Sequence, residues 1–169
     1  MDKRLRKITM KPSVLFFSAL ICLSMACKNG KQVSKGAATP ISWEKIETGN
    51  YSGMETESYQ LIQDAKSWSV LWEQLTSNRY PAPAVPKVDF TSRSVIACMM
   101  GMRPNGGFSI SIKSLAKQEG TLLLEVVHMG PGAGCFMTDA LTQPYYLASV
   151  PRTSGDLNVS KDVVLEDCE

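Results

Sequence analysis

The apolar positions along the chain change period several times, and each change predicts an element. Trp68, Leu71, Trp72 and Leu75 recur at i, i+3, i+4 and i+7, the stripe of an amphipathic helix. Asp64 in front is a natural N-cap, so a helix is expected over 64–77. Residues 94–101, SVIACMMG, are apolar without interruption, as in a short strand buried on both faces. Within RPNGGFSISIKS (103–114), Phe108, Ile110 and Ile112 alternate with Ser109, Ser111 and Lys113, so one strand face is buried and the other wet. AKQEG (116–120) is expected to turn the chain, and TLLLEVVHM (121–129) to return as the hairpin partner. Tyr145 to Val150 and Val159 to Leu165 predict two further strands, and residues 41–63, with Trp43, Ile46, Tyr59, Leu61 and Ile62, a short strand region. Pro81, Pro83 and Pro86 make 77–90 an irregular loop. The expected fold is α+β, a mainly antiparallel sheet with one packed helix.

The N-terminal pattern differs from all of these. Lys3, Arg4, Arg6, Lys7 and Lys11 precede an apolar run from Val14 to Ala26, which stops at Cys27. A basic start, an apolar middle and a small residue at the boundary predict a secretory signal. The run is shorter than the roughly 20 residues that span a bilayer. Ser24-Met25-Ala26-Cys27 resembles a bacterial lipobox, with Leu23 upstream, so residues 1–26 are expected to be removed and Cys27 to carry lipid. Cys22 follows bulky Ile21 and fits less well. More than one acyl chain is needed for stable attachment. The expected address is therefore the cell envelope, lipid-anchored to the outer membrane in a Gram-negative cell. Residues 27–40 contain almost nothing to bury and predict a flexible tether, followed by one domain over 41–169.

That division changes the charge. The whole chain has 18 cations against 16 acids. Without residues 1–26, thirteen cations face fifteen acids. No basic stripe with interleaved aromatics remains, which argues against a nucleic-acid partner.

Asn105-Gly106-Gly107 tolerates the positive φ of a bulge or tight turn. A phosphate cradle would need a following Lys-Ser/Thr and a helix, and neither is there. Beyond it lie the glycine loop GPGAGCF (130–136) and MTDALTQPYYLASVP (137–151). Gly106-Gly107-Phe108, Pro131-Gly132, Thr142-Gln143-Pro144-Tyr145 and Pro151, in that order and spacing, resemble the C-terminal domain of the PrcB family. The resemblance covers about residues 94–155, with Phe108 where tyrosine is commoner. It marks Gly106, Gly107, Phe108, Thr142, Pro144 and Tyr145 as the motif. It implies a non-catalytic accessory role, assembling or stabilising a surface protease. A small-molecule- or peptide-binding β domain is the alternative.

Candidate chemistry is sparse. His128 is the one histidine, so HExxH is excluded, and no C-x-x-C offers a zinc site. G-x-S-x-G is absent, and no cofactor or metal motif is present. The sharpest catalytic arrangement is His128 activating Cys135 with Asp139 as orienter, a Cys/His hydrolase. Three cysteines besides Cys27 and the signal's Cys22 allow three pairings. Cys98 lies inside an apolar strand, so it is expected reduced and buried. Cys135 in a bendable loop and Cys168 after the last strand are the expected disulfide in an oxidising compartment.

Overall fold

The computed structural model describes residues 36–168. The signal segment and Cys27 lie outside those residues. Eight strands and one helix follow in order (β1 Thr39–Pro40, β2 Glu44–Gly49, β3 Ser58–Ile62, α1 Ala65–Thr76, β4 Arg93–Met99, β5 Ser109–Gln118, β6 Thr121–Pro131, β7 Tyr145–Pro151, β8 Leu157–Glu166). No described helix is long and apolar enough to cross a membrane.

The strands form two four-stranded sheets where one was expected. Sheet I has the order β1-β5-β6-β8 and sheet II the order β2-β7-β4-β3. Sheet II is the middle layer. Along β4, Val95, Ala97 and Met99 face α1 and pack with Trp68, Leu71, Trp72 and Leu75. Ile96, Cys98 and Met100 face the other way and pack with Ile110, Ile112, Leu124 and Val126 of sheet I. This double coverage is why the β4 sequence is apolar without alternation. Sheet I is covered on one face only, so β6 alternates between buried and partly exposed positions.

The helix forms where its period placed it. Asp64 accepts from the backbone N–H of Ser67 at 2.8 Å and caps the first turn. The proline loop packs beside the buried face of the helix, where its carbonyls accept from both indoles, Pro86 from Trp68 at 2.9 Å and Pro83 from Trp72 at 3.0 Å. The irregular segment thereby satisfies two buried donors.

The hairpin is tighter than AKQEG suggested. Strand β5 runs to Gln118, and only Glu119 (φ 49°) and Gly120 (φ 86°) make the turn. Two successive positive φ values are what a two-residue hairpin turn needs. A bulge between Ile112 and Ser114 resets the alternation, so Ile112 and Leu115 both reach the core. The expected tether also ends earlier than Pro40. Thr39–Pro40 pairs with Lys117 and Ala116, and Ile41 N donates to Leu115 O at 2.8 Å.

The last strand is the largest departure. β8 begins at Leu157 and runs parallel to β6, from Leu122↔Leu157 to Pro131↔Glu166. The chain leaves sheet I after β6, contributes β7 to sheet II, and returns to add the edge of sheet I.

Candidate functional site

Sheet I is longer than sheet II at one end. On its inner face the pairing sets Val126 beside Lys161, His128 beside Val163 and Gly130 beside Leu165. Strand β4 has already ended at Met99, so the last of these pairs have no strand across from them. Val163 and Leu165 are therefore 68% and 64% exposed although they continue the inward row of Leu157 and Val159.

A cavity of about 260 Å³ opens under this overhang. Gly130 is its floor. A Cβ there would meet Cε1 of Phe108 at 2.9 Å and Cδ2 of Leu165 at 3.6 Å, so the missing side chain is what lets the Phe108 ring pack directly over the strand. Phe108 forms one wall, with the Arg103 guanidinium 5.9 Å from its ring centre, and Val163 and Leu165 form the other.

The inner end of the cavity is polar. Tyr59 Oη donates to Glu57 Oε1 at 3.1 Å and lies 2.9 Å from His128 Nε2. A carboxylate can only accept, so the tyrosine proton points to Glu57 and the imidazole Nε2–H donates to Tyr59. Lys161 donates to both Glu57 oxygens, at 3.0 and 3.3 Å, and Arg103 Nη2 lies 3.9 Å from Glu57. Arg103 Nη2 also donates to Met100 O at 2.7 Å, while its buried Nε has no partner.

These contacts set the protonation states. Burial works to raise the Glu57 pKa, but Lys161 and Tyr59 outweigh it and hold the carboxyl below its ordinary range. Burial lowers His128, with Glu57 opposing, so the imidazole is neutral at pH 7. Burial, followed by Glu57, pushes Tyr59 up. The group is a neutral imidazole and a neutral phenol beside two cations sharing one carboxylate.

The motif residues do not gather at one place. Phe108 lines the cavity. Gly106 and Gly107 (φ 84°) belong to the loop behind it. Gly106 N donates to Thr138 O at 3.0 Å, and a Cβ on Gly106 would meet Thr138 Oγ1 at 2.5 Å. Thr142 is buried, bonds Arg103 through both backbone groups at 2.7 and 3.1 Å, and donates from Oγ1 to Asn105 O at 2.8 Å. Pro144 is fully buried and its carbonyl accepts from Met100 N at 2.8 Å. Tyr145 points to the opposite layer, under α1. Its hydroxyl donates to Glu47 Oε1 at 2.5 Å and accepts from Arg79, which pairs with Glu47 at 2.7 Å. Burial and the Glu47 carboxylate push Tyr145 up to about 12, against Arg79. The motif is thus a frame that ties the 103–108 loop to 138–145, with one side chain in the cavity.

Cys135 and Cys168 are joined, with their Cα atoms 5.0 Å apart. Gly132 N donates to Glu166 O at 2.8 Å beside the bond. Cys135 therefore has no thiol to be activated, which overturns the arrangement of a Cys135 nucleophile with His128 as base. Cys98 is free and fully buried, and burial pushes its thiol up to about 12. Among the described residues no group of three or more His, Cys, Asp or Glu could hold a metal.

Sequence reasoning did not find Glu57, Tyr59, Arg103 or Lys161. Glu57, Tyr59 and Arg103 sit at a strand end or in a loop, and Lys161 in the middle of an exposed edge strand, where a polar residue reads as a wet face. His128 had a signal in its parity, since it continues the buried row Leu122, Leu124, Val126.

Residues 94–151 match the family model described as PrcB C-terminal. The matched span runs from β4 through β7, including the hairpin and the loop that frames the cavity. No curated protein and no solved structure matches the chain.

Proposed function

We propose that this chain is an envelope lipoprotein whose PrcB C-terminal-type domain serves as a non-catalytic binding module, an accessory to a surface protease. The match over residues 94–151 carries the reading. Two features of the site support it. The one carboxylate at the cavity, Glu57, is already engaged by Tyr59 and Lys161 and is not free to act as a base. Cys135, the candidate nucleophile of the sequence, is in a disulfide. The lipid on Cys27 would hold the domain at the membrane through residues 28–35, with the domain itself projecting away.

Two measurements test the proposal. The tagged full-length protein is purified from detergent-solubilised envelope, and co-purifying proteins are identified and assayed for protease activity that the isolated domain lacks. A stoichiometric protease is the expected result. Preparations that repeatedly bring down none, or a domain that hydrolyses peptides alone, would sink the accessory reading. Separately, Cys27→Ser should be unprocessed or soluble, whereas processing and membrane attachment like the parent would refute the lipid anchor.

A further inference from the structure

The structure assigns the overhanging end of β8 as the docking site for an extended segment of a partner polypeptide, which would pair with the open backbone edge of Val163–Glu166 and lay one apolar side chain against the exposed Val163 and Leu165. The inference rests on reading the domain as a binding module and says where and how it binds.

Four observations converge. First, β8 ends sheet I, and its outer edge has no strand partner among the described residues. Exposed edges are ordinarily blunted by shortness, proline, bulges or inward charges. β1 has two residues including Pro40, β2 carries a register shift between Lys45 and Glu47, and β3 has five residues. β8 has ten residues and no register break against β6, with Val163, Val164 and Leu165 exposed in succession. It is the edge most open to strand addition, in which main-chain hydrogen bonds give affinity and alternate side-chain pockets give specificity.

Second, the exposed end is held rigid. The Cys135–Cys168 bond and the Gly132–Glu166 hydrogen bond fix it from both sides of the glycine loop. A strand end fixed in its bound shape loses less freedom on association.

Third, the inward surface beside the open edge is apolar. Val163 and Leu165 are both exposed there, so the guest side chain laid against them should be apolar. The neighbouring cavity, about 260 Å³, falls below the roughly 300–1,000 Å³ of small-molecule sites.

Fourth, the charges separate the candidate occupants. Arg103 and Lys161 share the single carboxylate of Glu57 at the inner rim, so the inward row of the guest should carry an acid two residues from its apolar anchor. The outward row of β8 carries Asp162 and Glu166, which favours basic residues at the guest's alternate positions. A second copy of β8 fits poorly. Antiparallel self-pairing centred on Val164 sets Asp162 opposite Glu166 on both sides of the axis, and like charges directly opposed are destabilising.

The test uses the amidated, N-acetylated heptapeptide TEKLKET, which follows this pattern, and its control TEKDKET. Binding to the isotope-labelled domain is followed by amide NMR. TEKLKET should shift the Val163–Glu166 amides and slow their hydrogen exchange, with at least tenfold weaker binding for TEKDKET and for the Leu165→Asp domain. Leu165 is largely exposed, so this variant should keep the parent's thermal midpoint. Val163→Asp, at the other exposed position, is the second variant. Equal binding of both peptides, or of parent and variants, overturns the site. Sedimentation should give a monomer; a dimer abolished by Leu165→Asp overturns the partner assignment in favour of self-pairing. Co-purification from envelope separates this inference from the accessory role. A protease retained by both variants refutes the docking site alone, whereas peptide binding at β8 without any co-purifying protease refutes the accessory role alone.

Discussion

Removing the Cys135–Cys168 bond should cost the domain a large share of its stability. The two cysteines are 33 residues apart, and the closed loop contains all of β7 and β8. Restricting an unfolded loop of that length lowers its entropy enough to stabilise the native state by about 3.7 kcal/mol at 25 °C. Domains of this size have a total stability of about 5–15 kcal/mol. With an unfolding entropy of about 2.1 cal/mol/K per residue over some 130 ordered residues, the loss corresponds to a midpoint about 13 °C lower. The assay compares the oxidised protein with Cys135→Ser/Cys168→Ser by urea denaturation and by calorimetry. Both should unfold cooperatively, with the variant shifted by that amount. Hydrogen exchange supplies the local half of the argument: amides at 163–166 should lose protection well before those of β4. A midpoint within about 0.5 kcal/mol of the parent, which is the scatter of neutral surface changes, would show that the bond does not restrain the unfolded chain as argued. Unchanged exchange at 163–166 would show that it does not hold the strand end either.

Three further outcomes follow from the core and the polar groups. Tyr145→Phe removes two hydrogen bonds to charged partners, Glu47 and Arg79, and should destabilise by about 2 kcal/mol in urea melts; a neutral effect would mean the network contributes nothing to folding. Leu75→Ala, in the helix core at 1% exposure, should cost about 2–5 kcal/mol by cavity formation, and a loss under 1 kcal/mol would contradict the packing of α1 on sheet II. His128 is depressed in the folded state from an ordinary 6.5, so the unfolded chain takes up its proton first and stability falls as pH drops below 6.5. Glu57, also depressed, adds a second loss as pH falls below its ordinary 4.5. The difference in midpoint between pH 7.5 and pH 5.5 should shrink in His128→Gln, and an identical difference in parent and variant would remove His128 as its source.

What the sequence made legible was local. The α1 stripe, the Asp64 cap, the alternation of β5 and the return of β6 as its hairpin partner all depend on neighbours within a few residues, and they appear where those neighbours predict. The uninterrupted run of β4 announced burial on both faces. It could not announce that the two covers are a helix on one side and a second sheet on the other. The parallel placement of β8 was hidden because its own alternation is indifferent to which strand it joins, or in which direction. The cavity was hidden for a related reason. Gly130 looks like an ordinary loop glycine until Phe108 and Leu165, from strands on either side, are brought over it. Glu57 and Lys161 are 104 residues apart, and no local pattern links them. Cys135 and Cys168 were legible by elimination, because Cys98 sits in an apolar strand.

The route of β7 has a consequence for how the domain comes into being. β7 is an inner strand of sheet II, bonded to β2 on one side and β4 on the other, yet it is the next-to-last strand made. Until it arrives, β2 has no neighbour in its sheet. Sheet I, in turn, lacks its edge until β8 is added after β7. Pairings such as Glu44↔Ser149 join the two ends of the domain, so the topology is dominated by contacts distant in sequence. Such topologies fold on millisecond-to-second scales, because loop closure must be paid before the contacts that reward it. A chain emerging N-terminus first can form α1 and the β5–β6 hairpin early, but neither sheet closes before about residue 150. Until then the apolar faces of β4 and β6 lack part of their cover, and an incomplete chain exposes surface on which it can aggregate or be held by a chaperone.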